Sequence, residues 1–167
     1  MYRDERIKTE CKDQFYRELN LQMKGLLSVE RDWLANLANA VGLLYYQMDQ
    51  VNWAGFYLVR KGDLVLGPFG GKPACTRIQM GQGVCGTAAE RRESQVVEDV
   101  HQFPGHITCD VASESEIVIP MLEGERLLGV LDVDSPIRAR FDWEDERYLA
   151  AFAELLVEGS DWEGLDG

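Results

Sequence analysis

The sequence predicts an α+β fold: an antiparallel sheet with helices packed on one face and long loops on the other. Three observations support this. Apolar stripes of helical period occupy both ends of the chain. Two β-rich runs each fold back at a glycine turn, Lys61-Gly62-Asp63 and Glu123-Gly124-Glu125. Between them lies an irregular middle, where six of the 16 glycines fall within residues 67–87.

The elements follow in order. Ile7, Cys11, Phe15 and Leu19 recur every four residues and predict a first helix, with Cys11 as a small packing residue on its stripe. Leu26, Val29, Trp33, Leu37, Val41, Leu44 and Met48 predict a second helix, and Gly25 and Ser28 a break between the two. VNWAGFYLVRKGDLVLGPF reads as a hairpin. In its first strand Trp53, Gly55 and Tyr57 share one face, and Asn52, Ala54, Phe56 and Leu58 the other. A short helix is expected over Val84–Arg91, a short strand in SQVVEDV, and a second hairpin in SEIVIPMLEGERLLGVLDVDSP. Asp142 is a good N-cap, with Glu144 and Asp145 in the first turn of a helix running through Tyr148, Phe152 and Leu155. The organisation expected is an arm over residues 1–14, one domain over 15–158, and an acidic, frayed tail over 159–167.

Charge and composition exclude several roles. The 167 residues are 46% hydrophobic, enough for one core, and carry a net charge of −12. No cluster of Lys and Arg is present to bind phosphates, which argues against a nucleic-acid partner or an anionic membrane surface. No apolar run approaches the ~18 residues of a membrane span. The N-terminal MYRDERIKTECKDQ lacks an apolar signal core. A cytoplasmic protein with reduced thiols is expected, and its four cysteines then suggest catalysis, redox sensing or metal binding.

Cys75, Cys85 and Cys109 lie in Gly-rich or polar segments, PACTRIQMGQGVCGTAAE and FPGHITCDVASESE, where a thiol can meet solvent and substrate. They suggest a thiol relay, in which a thiolate attacks an oxidised sulfur and a second thiol resolves the product. Cys109 is the best nucleophile, because His106 lies three residues away and could favour the thiolate, whereas Asp110 and Glu116 oppose it. A half-buried inert thiol is the plainer alternative. His101, His106 and Cys109, completed by Asp110 or Cys85, form a competing metal set, but no CxxC or finger spacing accompanies them, and no metal is expected.

Asp132 and Asp134 are two apart in GVLDVDS, so on a strand they share one face while Leu131 and Val133 face the core. Glu116 opens the preceding strand of the same hairpin, and the three acids could converge. They form either a solvated stripe or a site for a cationic ligand, since clustered like charges on a sheet repel. Trp53 and Tyr57 are either core or an aromatic wall for a small ligand with an ammonium group. GQGVCG is not a phosphate motif, because it lacks the Lys-Ser/Thr ending of a P-loop.

Taken together, NWAGFYL, LVLGPF, GKPACTRI, GVCGTAA, DVHQFPGHITCD, SEIVIP, LLGVLDVDS and RFDWED resemble free methionine-(R)-sulfoxide reductase, a GAF-domain enzyme, over roughly residues 15 to 156. The resemblance implies a GAF-like fold and reduction of free methionine sulfoxide. It implies that Cys109 is the attacking cysteine, Cys75 the resolving one and Cys85 an auxiliary. It further implies that Glu116, Asp132 and Asp134 hold the substrate and help protonate its oxygen, with Trp53 and Tyr57 as pocket aromatics. It implies thioredoxin as reductant, no cofactor or metal, and a possible homodimer. Gly70-Gly71 departs from the family pattern, where a larger polar residue is expected before the second Gly. The rival reading is a GAF sensor module that binds a small molecule or responds to oxidation without turnover.

Overall fold

The computed structural model describes residues 5–107 and 109–165. Helices α1 (Lys12–Leu27) and α2 (Trp33–Gln47) precede the hairpin β1 (Trp53–Arg60) and β2 (Asp63–Gly70). Strand β3 (Arg77–Ile78), helix α3 (Gly83–Arg91) and strand β4 (Gln95–Val97) make up the irregular middle. Then come β5 (Ser115–Glu123), β6 (Arg126–Ser135) and α4 (Trp143–Gly159). The six strands form one sheet in the order β3-β2-β1-β6-β5-β4. Every pairing is antiparallel.

Two apolar clusters flank the sheet. On one face Tyr16, Leu19 and Met23 of α1, Leu37 and Leu44 of α2, and Phe152 and Leu156 of α4 pack on Phe56, Ile117 and Leu131. On the other, Val84, Ala88 and Ala89 of α3 pack with Trp53, Tyr57, Val118 and Val130. The alternation predicted for β1 is therefore present, with Trp53 and Tyr57 on one side and Ala54, Phe56 and Leu58 on the other. The expected arrangement is present, with α1, α2 and α4 on one face, and the short α3 lies among the loops on the other. Six of its nine residues, Gly83, Val84, Cys85, Gly86, Ala88 and Ala89, are buried, because small side chains let the helix lie close.

Both predicted hairpins form. Lys61 and Gly62 have φ of 52° and 87°, the doubly positive geometry of a two-residue turn that matches strand twist. Between β1 and β6 the backbones come so close that a Cβ on Gly129 would sit 2.1 Å from the Tyr57 carbonyl oxygen. Only glycine fits there. Asp142 caps α4 as expected and completes a capping box with Asp145.

Three predictions at the ends are corrected. Cys11 is the exposed N-cap of α1, not a packing residue on its stripe, and Ile7 precedes the helix. The break between α1 and α2 falls at Ser28, the C-cap of α1, as predicted, whereas Gly25 lies inside the helix. Leu26 thus belongs to α1, and Val29 is exposed in the link. The tail is not frayed over the described residues: Trp162 and Leu165 are 2% and 1% exposed, Trp162 stacks on Trp33, and Asp161 N donates to Arg31 O at 2.7 Å. Its acidic composition hid two apolar anchors. Residues 1–4 of the expected arm and 166–167 of the expected tail lie outside the described residues.

Candidate active site

The acids are brought together by strand register. Asp134 pairs with Trp53 of β1 on one side and Glu116 of β5 on the other, while Asp132 pairs with Gly55 and Val118. Period-two alternation turns Glu116, Asp132 and Asp134 to the α3 side of the sheet, where all three line one pocket. Glu116 and Asp132 are buried and Asp134 half-buried, so the solvated-stripe alternative fails. Oδ1 of Asp132 is buried without a hydrogen-bond partner. An orphan acceptor at that depth needs a donor from a ligand or a proton of its own.

Burial is the first cause holding all three carboxyls well above the usual range. Mutual repulsion adds to it, from Asp132 on Glu116, from Asp134 on Asp132 and from Glu116 on Asp134. At least one therefore carries a proton when exposed carboxyls have lost theirs. This has a stability consequence. Below the ordinary carboxylate range the acids are neutral both folded and unfolded. As pH rises through that range the unfolded chain ionises first, and stability falls until the raised folded values are reached. Asp132→Asn should therefore gain stability over the parent at pH 8 and not at pH 4. Thermal unfolding followed by circular dichroism at the two pH values checks this. An advantage that shrinks with rising pH would contradict it.

The cysteines divide into a bonded pair and a buried thiol. Cys75 and Cys109 form a disulfide with Cα atoms 5.7 Å apart. Cys109 is exposed and lines the pocket; Cys75 is half-buried against the α3 cluster, and its carbonyl accepts from the Tyr57 hydroxyl at 2.9 Å. Both are redox-competent positions, so the inert-thiol alternative fails for them. Cys85, on the first turn of α3, is buried and free, with Sγ 3.9 Å from Glu116 Oε1. Burial, then the Asp132 and Glu116 charges, pushes its thiol far up, so it stays protonated at neutral pH.

Trp53 and Tyr57 are core and pocket wall at once: they are 3% and 2% exposed, stack at 6.0 Å and line the site. The Trp53 indole N–H donates to Lys72 O at 3.1 Å, which fixes the ring, and Phe69 stacks on it at 5.5 Å. Burial, followed by the Asp132 charge, pushes the Tyr57 hydroxyl well up, so it remains a donor.

One expectation is corrected, and one competing arrangement does not form. His106 lines the pocket, but burial and then His101 lower its pKa, so it is neutral at pH 7 and cannot favour a thiolate as a cation. The loop metal set does not assemble. Cys109 is bonded to Cys75, His101 turns to Glu114 at 3.5 Å, and the same carboxylate receives Arg138 at 3.6 Å. Cys85, Glu116 and Asp132 do offer close ligand atoms, but Cys85 would have to lose a proton that burial holds. Sequence reasoning missed the first turn of α3, where Gln82, Gly83 and Val84 line the pocket. The positive φ of Gly83, 63°, brings the helix start in, and its only signal was the glycine spacing. It also missed the polar contacts of Asn52, assigned to a strand face although the residue lies one position ahead of β1.

Comparison with known proteins follows the same geometry. Residues 30–158 match the family model described as the GAF domain. The chain is 52% identical over 147 residues to Protein YtsP of Bacillus subtilis, covering 87% of this chain and 90% of that one. It is 49% identical over 154 residues to the free methionine-R-sulfoxide reductase of Escherichia coli, covering 90% and 93%. The solved structure of free methionine-R-sulfoxide reductase from Neisseria meningitidis in complex with its substrate superposes with a TM-score of 0.90 at 42% identity, covering 95% of each chain.

Proposed function

Because the chain belongs to the free methionine-R-sulfoxide reductases of the GAF-domain family, we propose that it reduces free L-methionine (R)-S-oxide to L-methionine through Cys109. The observation that carries the mechanism is one pocket lined by three buried or half-buried acids and by Cys109, itself bonded to Cys75. In the reduced state the Cys109 thiolate attacks the sulfoxide sulfur. A protonated carboxyl, Glu116 or Asp134, donates to the oxygen. In the resulting adduct the oxygen passes from the substrate sulfur to Cys109 as the sulfur–oxygen and sulfur–sulfur bonds break, so methionine leaves and Cys109 is left as a sulfenic acid. The Cys75 thiol then displaces it, forming the disulfide and releasing water. A dithiol, thioredoxin in our reading, returns two electrons and two protons.

The pocket suits a free amino acid at both charged ends. Asp132 and Asp134 face the α-ammonium with charge-assisted hydrogen bonds. Gly83, Val84 and Cys85 open α3, so their backbone N–H groups have no intrahelical acceptor and can receive the α-carboxylate. Trp53 and Tyr57 supply the wall for the rest of the substrate. Cys85 serves as an auxiliary thiol beside Glu116. The cycle uses no cofactor, and its need for a reduced dithiol pair fits the cytoplasm. A homodimer belongs to the same reading, and sedimentation analysis tests it. Among the described residues no helix is long and apolar enough to cross a membrane.

Cys75→Ser separates the two halves of the cycle. It should release about one methionine per chain, because attack needs only Cys109. Turnover with thioredoxin should collapse, and a small thiol should restore part of it. Methionine is counted by chromatography after incubation of parent and variant with free methionine sulfoxide, with and without reductant. A ligand sensor without turnover would give no more than one equivalent even from the parent with dithiothreitol, and that result would overturn the reading.

A further inference from the structure

We propose that Asn52 is a positioning residue that holds the Cys109 segment against the acid-bearing strand, and so sets the distance between nucleophile and proton donor. The inference rests on the catalytic reading above. Asn52 rides on β6: its backbone N–H donates to Asp134 O at 3.0 Å. Its side-chain Nδ2 donates to Asp110 Oδ2 and to Ser113 Oγ, two residues that line the pocket, each at 3.1 Å. One residue thus joins an acid of the site to the neighbour of Cys109.

Over residues 106–113 the other hydrogen bonds among the described residues are local. His106 N donates to Phe103 O, Ala112 N to Asp110 Oδ1, and Ser113 N to Asp110 O. At the end of the segment Glu114 N donates to Ser135 O of β6 at 2.8 Å, five residues past Cys109; nearer the thiol, the long-range tie beside Asn52 is the Cys75–Cys109 disulfide itself. That bond is absent in the dithiol state, which is the state that attacks substrate. The Asn52 fork is then the polar tie nearest Cys109 that holds it to the acid-bearing strand. The orientation of the amide follows from its partners, since a carboxylate can only accept. It leaves Oδ1 of Asn52 buried and unpartnered.

Asn52→Ala and Asn52→Asp test this, each read three ways. The first readout is the rate of the single methionine burst from prereduced protein, expected to fall about tenfold to hundredfold in Asn52→Ala, as misplacement by about 1 Å does. The second is the dissociation constant for L-methionine by calorimetry, expected to be unchanged. The third is the equilibrium of the Cys75–Cys109 pair with oxidised and reduced dithiothreitol, expected to shift about tenfold toward the dithiol as the two sulfurs meet less often. Asn52→Asp sets a carboxylate against Asp110. Its burst, taken relative to the parent at the same pH, should fall at least as far as that of Asn52→Ala. Unchanged burst and redox equilibrium in Asn52→Ala would overturn the inference, as would a loss of methionine affinity equal to the loss of rate. A shifted redox equilibrium with no methionine from either parent or variant would support the role of Asn52 and sink the catalytic reading instead.

Discussion

Cys109→Ser is expected to remove at least ~1000-fold of the steady rate of methionine formation, or roughly 4 kcal/mol of barrier. The geometry makes the residue irreplaceable by its neighbours. Cys85 lines the same pocket, but burial and the acids beside it keep its thiol protonated. A protonated thiol is a poor nucleophile. Cys75 is half-buried and tied through its carbonyl to Tyr57, outside the acid cluster. Serine keeps the shape of the site, but an alcohol is a far weaker nucleophile at neutral pH. The assay is methionine release under dithiothreitol. A variant that keeps more than a tenth of the parent rate would transfer the attack to another group.

Free methionine sulfoxide is expected to be preferred over its N-acetyl derivative by about a hundredfold or more in kcat/KM. Acetylation turns the α-ammonium into a neutral amide. Asp132, whose Oδ1 has no partner within the protein, then loses the cation that would satisfy it. Leaving a buried charge unpaired costs about 3–5 kcal/mol, enough for that ratio. The raised carboxyl pKa values soften the penalty, because one acid can take up a proton instead. Asp134→Asn should weaken use of the free substrate: a change chiefly in KM assigns Asp134 to the ammonium and leaves Glu116 as the proton donor, and a change chiefly in kcat assigns the donor role to Asp134. Direct competition between the two substrates measures the ratio. Comparable values would show that the acids do not read the ammonium.

Much of the fold was legible because its signals were local. Lys61-Gly62 makes its turn with its own backbone, and Asp142 caps its own helix. The acid cluster was legible too, since a two-residue spacing in GVLDVDS fixes a shared face once the strand is assumed. The failures have a common cause in long-range packing. Trp162 is anchored by Trp33, more than a hundred residues away in sequence, and nothing in the acidic tail announces it. Cys11 fits a helical stripe by spacing, but the helix starts one residue later. The neutral state of His106 could not be read from its distance to Cys109 in sequence, because it is set by burial and by His101. Asn52 looked like one more strand residue, and its role depends on partners 58 and 61 residues further on.

The Cys75–Cys109 bond has an effect on the unfolded chain as well. It closes a loop of 34 residues that contains β3, α3 and β4. Closing such a loop restricts the denatured ensemble by an amount equivalent to about 3–4 kcal/mol. In this mechanism the bond is made and broken once per cycle, so the protein alternates between a cross-linked form and an open one of lower global stability. When reductant is scarce, molecules accumulate in the sturdier form. The resistance of the population to heat and proteolysis then becomes a record of its supply of electrons.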